Sequence, residues 1–192
     1  MHPRCGPVAV SLAVLDGPLL VTERFELWKP QASDLDDMVR LLADEETRRF
    51  LGLTQAEKKG VFERLQRNGG SWALHGYGTF PVRRRGGNGE IVANCGVFHS
   101  WRGFGKGMDD VPEAGWIVRY DHWGIGLAKE VMRAVLDWFD VTHGPRRIAC
   151  MIEEGNTASE RVAGALGFIP CGNHDLGENG ETVIVNLFER VS

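Results

Sequence analysis

The spacing of apolar residues changes several times between the period of a strand and that of a helix. Residues 22–28 (TERFELW) alternate and predict a strand. Behind Ser33, a predicted N-cap, Leu35, Met38, Val39 and Leu42 fall on one helical face. Thr54-x-x-Glu57 reads as the capping box of a second helix carrying Val61, Phe62 and Leu65, with Asn68-Gly69-Gly70 as its stop. Residues 71–82 are strand-like, Gly86-Gly87-Asn88-Gly89 is a turn, and residues 91–98 are the returning strand. Residues 113–118 predict the next strand. Residues 127–140 predict the strongest helix, with Leu127, Val131, Val135 and Trp138 in one stripe and Lys129, Arg133, Asp137 and Asp140 toward water. Residues 147–152 read as a buried strand. Asn156 or Thr157 caps a short helix ending at Gly167, and residues 182–188 form a last strand. There is no repeat, linker or low-complexity tract, so this order predicts one α/β domain.

The chain has 192 residues, enough for a domain with a substantial core. Residues 8–15 are apolar and follow Arg4, as in a signal peptide. The run is short, contains Ser11 and lacks a small-x-small cleavage site, so residues 1–18 are expected to be an extension or an added edge strand ahead of a domain spanning 19–192. No segment is long enough to span a membrane. The net charge of −4 gives no basic footprint for nucleic acid and suits a cationic acceptor. Cys5, Cys95, Cys150 and Cys171 form no C-x-x-C pair, and the histidines lack ligand spacing. Reduced thiols, a cytoplasmic location and no metal are expected. Cys150, in an apolar strand, reads as a core thiol.

The candidate chemistry sits in residues 116–168. Trp116-Ile117-Val118 leads into His122-Trp123-Gly124-Ile125-Gly126-Leu127-Ala128, which opens the long helix. Such a turn presents unpaired N–H groups at a helix N-terminus, where the macrodipole favours a phosphate. A tight turn before a core helix would need the same glycines. Further on come Asn156-Thr157-Ala158-Ser159 and Gly167-Phe168.

These motifs, together with Glu113-Ala114-Gly115 and Glu160-Arg161-Val162, make residues 22–188 resemble the GNAT superfamily of acyl-CoA-dependent N-acetyltransferases. Within it the chain is most similar to the branch of ribosomal-protein N-terminal alanine/serine acetyltransferases. The resemblance implies a mixed, mostly antiparallel α/β sheet with a splayed central strand pair and flanking helices. It implies acetyl-CoA as co-substrate, no metal, and direct transfer to a primary amine: a protein N-terminus, a polyamine, an amino acid or an aminoglycoside. A catalytically silent acyl-CoA-binding module is the alternative. Nucleic acid and membrane are not expected partners, and the chain is expected to be a monomer or homodimer.

The family's pyrophosphate pattern, Gln/Arg-x-x-Gly-x-Gly/Ala, occurs literally at Arg102-Gly103-Phe104-Gly105-Lys106-Gly107, but Met108-Asp109-Asp110-Val111-Pro112 opens no helix. That segment reads as a mobile cationic loop beside the acceptor site. Residues 121–126 have the helix but carry Asp121 in place of Gln or Arg, and Asp121 must turn away from the phosphates. By resemblance, the coenzyme meets the main chain of Ile117, Val118 and Arg119, the turn Trp123, Gly124, Ile125, Gly126, Leu127 and Ala128, and the Asn156 side chain. The tyrosine that many members place seven residues after this Asn is Ala163 here. Ser159, one helical turn from Asn156, is then the candidate for stabilising the departing thiolate. The Val118 N–H is the candidate donor to the thioester carbonyl, and Glu113 the candidate base through water. On residue type alone Asn156 is a good N-cap, Ser159 a solvated helix residue, and Glu113 a solvent-facing strand residue. Arg83-Arg84-Arg85 reads as a solvated hairpin end or a docking patch.

Overall fold

In the computed structural model, which describes residues 17–52, 56–177 and 180–191, one eight-stranded sheet carries helices on both faces. The strands are β1 (Leu20–Val21), β2 (Phe25–Leu27), β3 (Thr79–Arg84), β4 (Ile91–Trp101), β5 (Asp109–Val118), β6 (Ile148–Glu153), β7 (Ile169–Asp175) and β8 (Ile184–Arg190). The helices are α1 (Leu35–Leu41), α2 (Glu45–Arg48), α3 (Lys58–His75), α4 (Leu127–His143) and α5 (Thr157–Ala165). The spatial order is β1-β2-β3-β4-β5-β6-β8-β7. All pairs are antiparallel except β5–β6. Most of the expected N-terminal extension, residues 1–16, and the capping Thr54 lie outside the described residues.

The sheet buries a different cluster on each face. Under α4, Val131, Val135 and Phe139 join Phe80, Ala93 and Ile148 in the main core, and Trp138 packs against it. On the other face Met38, Leu41 and Leu42 of α1 and its end meet Val61 of α3 and Ile91. Residues directly opposite in β4 and β5 share a face. Phe98 and Glu113 therefore lie on the α1–α3 side, with Val97 and Ala114 toward α4.

The short β1 and α2 are not predicted by the sequence pattern, and three further elements differ from the expectation. The α1 entry is closed by Asp34, whose carboxylate accepts from Gln31 N at 2.8 Å, rather than by Ser33. Helix α3 runs through Gly69-Gly70 to His75, so residues 71–75 are helical and not strand. Side chains hold its last turns: Asn68 bonds both N–H and C=O of Thr79, and Ser71 donates to Tyr77 O at 2.7 Å. Gly76, at φ 78°, is the true stop. Finally β7, an exposed edge strand, is not predicted by the sequence pattern.

Candidate active site

The strands β5 and β6 pair at only two positions, Glu113 with Ala149 and Ala114 with Cys150. Beyond that point residues 115–118 pair only with β4, and residues 151–153 only with β8. The sheet therefore opens into a V between two strands that each stay paired on their outer sides. Arg119 N donates to Val92 O at 3.0 Å. Alternation along an antiparallel strand then turns the N–H groups of Ile117 and Gly115 toward β4, and those of Val118 and Trp116 into the opening. Of Ile117, Val118 and Arg119, it is Val118 whose main-chain groups face the gap. Its carbonyl accepts from the Trp123 indole at 2.8 Å, which anchors the following turn to the end of the strand. The Trp123 ring meets Tyr120 edge-on at 5.1 Å.

Gly124 and Gly126 adopt φ of 74° and 78°, a conformation that favours glycine, and α4 starts at Leu127. The N–H groups of Gly124, Ile125, Gly126, Leu127 and Ala128 have no hydrogen-bond partner among the described residues. They lie at the wide end of the V. Arg24, which carries no motif of its own, braces this turn. Its Nη1 donates to Ile125 O at 3.0 Å and its Nε to Glu130 at 2.6 Å. A contact spanning a hundred positions leaves no local signal.

Asp121 is turned into a local cluster. Arg119 grips both its oxygens, at 2.7 and 3.0 Å, and His122 Nδ1 lies 2.7 Å from one of them. The Arg119 bond, followed by His122, holds the Asp121 carboxyl down at about 2. Its charge is thereby matched by its own neighbour.

The literal glycine pattern at 102–107 is the hairpin between β4 and β5. The Asp109 carboxylate accepts from Gly103 N and, at 2.8 Å, from Gly105 N. Phe104 stacks on His174 at 3.9 Å and Lys106 donates to Asn173 O at 2.8 Å. Its N–H groups already hold an anion, one belonging to the chain itself.

Asn156 caps α5, its Oδ1 accepting from Ser159 N at 3.1 Å. The Ser159 hydroxyl accepts from the Trp116 indole at 3.2 Å, linking β5 to α5. Its own proton has no acceptor among the described residues. Ala163 is fully buried in the main core, so a tyrosine at that position would collide with the packing.

Glu113 is 3% exposed, not solvent-facing. Arg102 forks its carboxylate, Nε to Oε2 at 2.8 Å and Nη2 to Oε1. Burial disfavours the Arg102 charge, but the two bonds to Glu113 outweigh it and raise its pKa. Accepting a proton at Glu113 means giving up part of this fork. Beside it, Gly115 leaves room for Phe98, whose ring would lie 3.2 Å from a Cβ at that position. Cys150 is buried, and burial, with Glu113 nearby, pushes its thiol up, so it is no nucleophile. Among the described residues, no group of three or more His, Cys, Asp and Glu residues could hold a metal. No described helix is long and apolar enough to cross a membrane.

A mixed sheet splayed beside a glycine turn at a helix N-terminus is the architecture of an acyl-CoA N-acyltransferase. Residues 24–169 match the acetyltransferase (GNAT) domain, and the chain belongs to that family. It is by that membership an acetyl-CoA-dependent N-acetyltransferase. A putative GNAT-family acetyltransferase from Bordetella pertussis has 31% sequence identity and a TM-score of 0.77, covering 90% of this chain and 98% of that one. RimL, the ribosomal L7/L12 alpha-N-protein acetyltransferase solved with coenzyme A, has the same fold at 18% identity, with a TM-score of 0.71 and coverage of 90% and 97%. An uncharacterized protein of Bacillus subtilis (strain 168), YkkB, is 34% identical over 79 residues, 41% of this chain and 44% of that one.

Proposed function

We propose that the chain moves an acetyl group directly from acetyl-CoA to a primary amine, both held at once in the V between β5 and β6. The observation that carries this is the two-residue β5–β6 pairing, followed by an open strand edge that ends at the N–H groups of Gly124 to Ala128, which have no partner among the described residues. The pyrophosphate lies against the turn at Gly124–Ala128, where the helix dipole adds to the N–H groups. The pantetheine arm runs along the Val118 edge and substitutes for a strand. The thioester then lies in the open part of the V beside Trp116 and Val118, short of the point where the strands part at Ala114.

The amine nitrogen attacks the thioester carbon, the C–S bond breaks, and the thiolate takes a proton. The Val118 N–H faces the gap and stabilises the carbonyl oxygen as charge develops. Ser159 donates to the sulfur, since its lone pair is engaged by Trp116 and its proton is not. The attacking amine loses its own proton through water, with Glu113 as the nearest buried carboxylate and the Arg102 fork as the barrier to its use. The acceptor belongs to the class of protein N-termini, polyamines, amino acids and aminoglycosides, and the chain acts as a monomer or homodimer in the cytoplasm. The silent-module reading draws on Ala163, the missing tyrosine. It draws nothing from Asp121, whose charge Arg119 neutralises.

The test is an amine screen with acetyl-CoA and mass detection. Acetylated product from at least one amine class is expected. Tight coenzyme binding with no product from any class would make this a silent module. Ser159→Ala is expected to lower kcat about ten- to a hundred-fold while coenzyme affinity holds, as for one donor used only in the transition state. Unchanged kcat with chemistry rate-limiting would remove Ser159 from the mechanism. Glu113→Gln is expected to slow the reaction most near neutral pH, where the amine is protonated, and least at high pH. A uniform loss would make Glu113 a positioning residue.

A further inference from the structure

One face of α3 is fully accounted for except at one position. Val61, Arg64, Asn68 and Ser71 recur at three- and four-residue spacing and form a single stripe. Val61 is buried in the cluster with α1. Asn68 clamps Thr79, and Ser71 accepts from His99 N at 3.0 Å while donating to Tyr77 O. Arg64, between them, is partly buried and has no hydrogen bond or ion pair among the described residues. Two other cations, Arg67 and Arg102, act on it with like charge. Burial first, then these two charges, pull its pKa down, and no carboxylate acts in the other direction. Glu113, buried on this side of the sheet, is already forked by Arg102, whose Nη1 has no hydrogen-bond partner among the described residues.

A partly desolvated guanidinium among like charges is costly unless an anion completes it. Arg64 and the free edge of Arg102 lie on the face of β5 that carries Glu113, the face from which an amine reaches the thioester. Resting on the acetyl-transfer reading above, we propose that the acceptor amine carries a carboxylate, bound by Arg64 together with Arg102, so that this enzyme selects anionic amines over neutral or polycationic ones. The carboxylate is that of a free amino acid or of an acidic residue near a peptide N-terminus. The chemistry of recognition is the same in both.

Two matched comparisons separate the sources: alanine against alaninamide, and an alanyl-glutamyl against an alanyl-glutaminyl peptide amide. For one pair kcat/KM is expected to favour the carboxylate member about ten- to a hundred-fold, the range for a charge-assisted pair. Arg64→Gln is expected to abolish that preference by raising KM for the carboxylate member, leaving its neutral partner and acetyl-CoA unaffected. Calorimetry of the same ligands with the coenzyme A-bound protein gives a readout independent of turnover. If nothing is acetylated yet a carboxylate ligand binds in an Arg64-dependent way, the carboxylate site stands and the transfer reading falls. If amines are acetylated without preference for either carboxylate, or if Arg64→Gln weakens both members of a pair equally, the carboxylate site is overturned and the transfer reading stands. No carboxylate preference in either binding or turnover overturns it as well.

Discussion

Two glycine turns in this chain have exchanged roles relative to their sequences. The hairpin at 102–107 matches the family's phosphate pattern at every position, yet its Gly103 and Gly105 N–H groups already bind the Asp109 carboxylate. The turn at 123–126 departs from the pattern at Asp121, yet from Gly124 to Ala128 the N–H groups have no hydrogen-bond partner among the described residues and lie at the start of a 17-residue helix. The two turns differ in the element that each one opens. A strand gives no dipole and no parallel set of N–H groups, whereas a helix supplies both. An arginine two residues before Asp121 removes the one charge that would spoil the second turn.

The comparison breaks most easily at Gly124. Gly124→Asp adds a carboxylate among the free N–H groups and a side chain at φ 74°. Acetyl-CoA affinity is expected to fall by about 2 kcal/mol, or roughly thirty-fold, by calorimetry on the folded variant. Gly105→Asp, its control, is expected to leave affinity within about two-fold, well inside a single order of magnitude. Equal losses in both would end the distinction.

A smaller effect is expected from Asp109→Ala. It strips two N–H groups of their acceptor and should lower stability by about 1 kcal/mol in denaturant unfolding. It also empties the decoy turn of its anion. Coenzyme affinity is expected not to rise, because no helix stands behind those groups. A second binding event in that variant would show that the free N–H groups alone suffice.

The smallest effect belongs to Asp121. Its carboxyl is depressed to about 2, so the stability it adds is present above its ordinary value near 3.8 and is lost as pH falls from there toward 2. Asp121→Asn is expected to flatten thermal stability across that acid window. The change is modest because the side chain is 58% exposed and screened by water. At neutral pH coenzyme affinity should stay the same or rise a few-fold, roughly the scale of one screened charge. A fall would mean that Asp121 positions the turn rather than merely being neutralised there.

Most strands, the α4 stripe and the Asn156 cap were legible because each rests on local periodicity or one capping residue. The course of α3 was not. Gly69-Gly70 costs the helix about 1 kcal/mol per glycine, and bonds from Asn68 and Ser71 to distant strands offset that. Strand β7 reads as a turn because Pro170, Gly172, Asn173 and Asp175 crowd it. An edge position tolerates the proline, and a bulge sits between Pro170 and Gly172. At the site, the motif residues were readable, but their partners were not. Arg24 under the turn and Arg102 on Glu113 arrive from other elements, and Arg64 declares itself only by lacking a partner.

Hydrogen exchange of individual backbone amides, with and without coenzyme A, tests the central assignment most directly. Coenzyme A is expected to slow exchange at Gly124, Ile125, Gly126, Leu127, Ala128 and Val118, and to leave Gly103 and Gly105 unchanged. Protection at Gly103 and Gly105, with none at 124–128, would place the phosphates on the literal pattern and contradict the account.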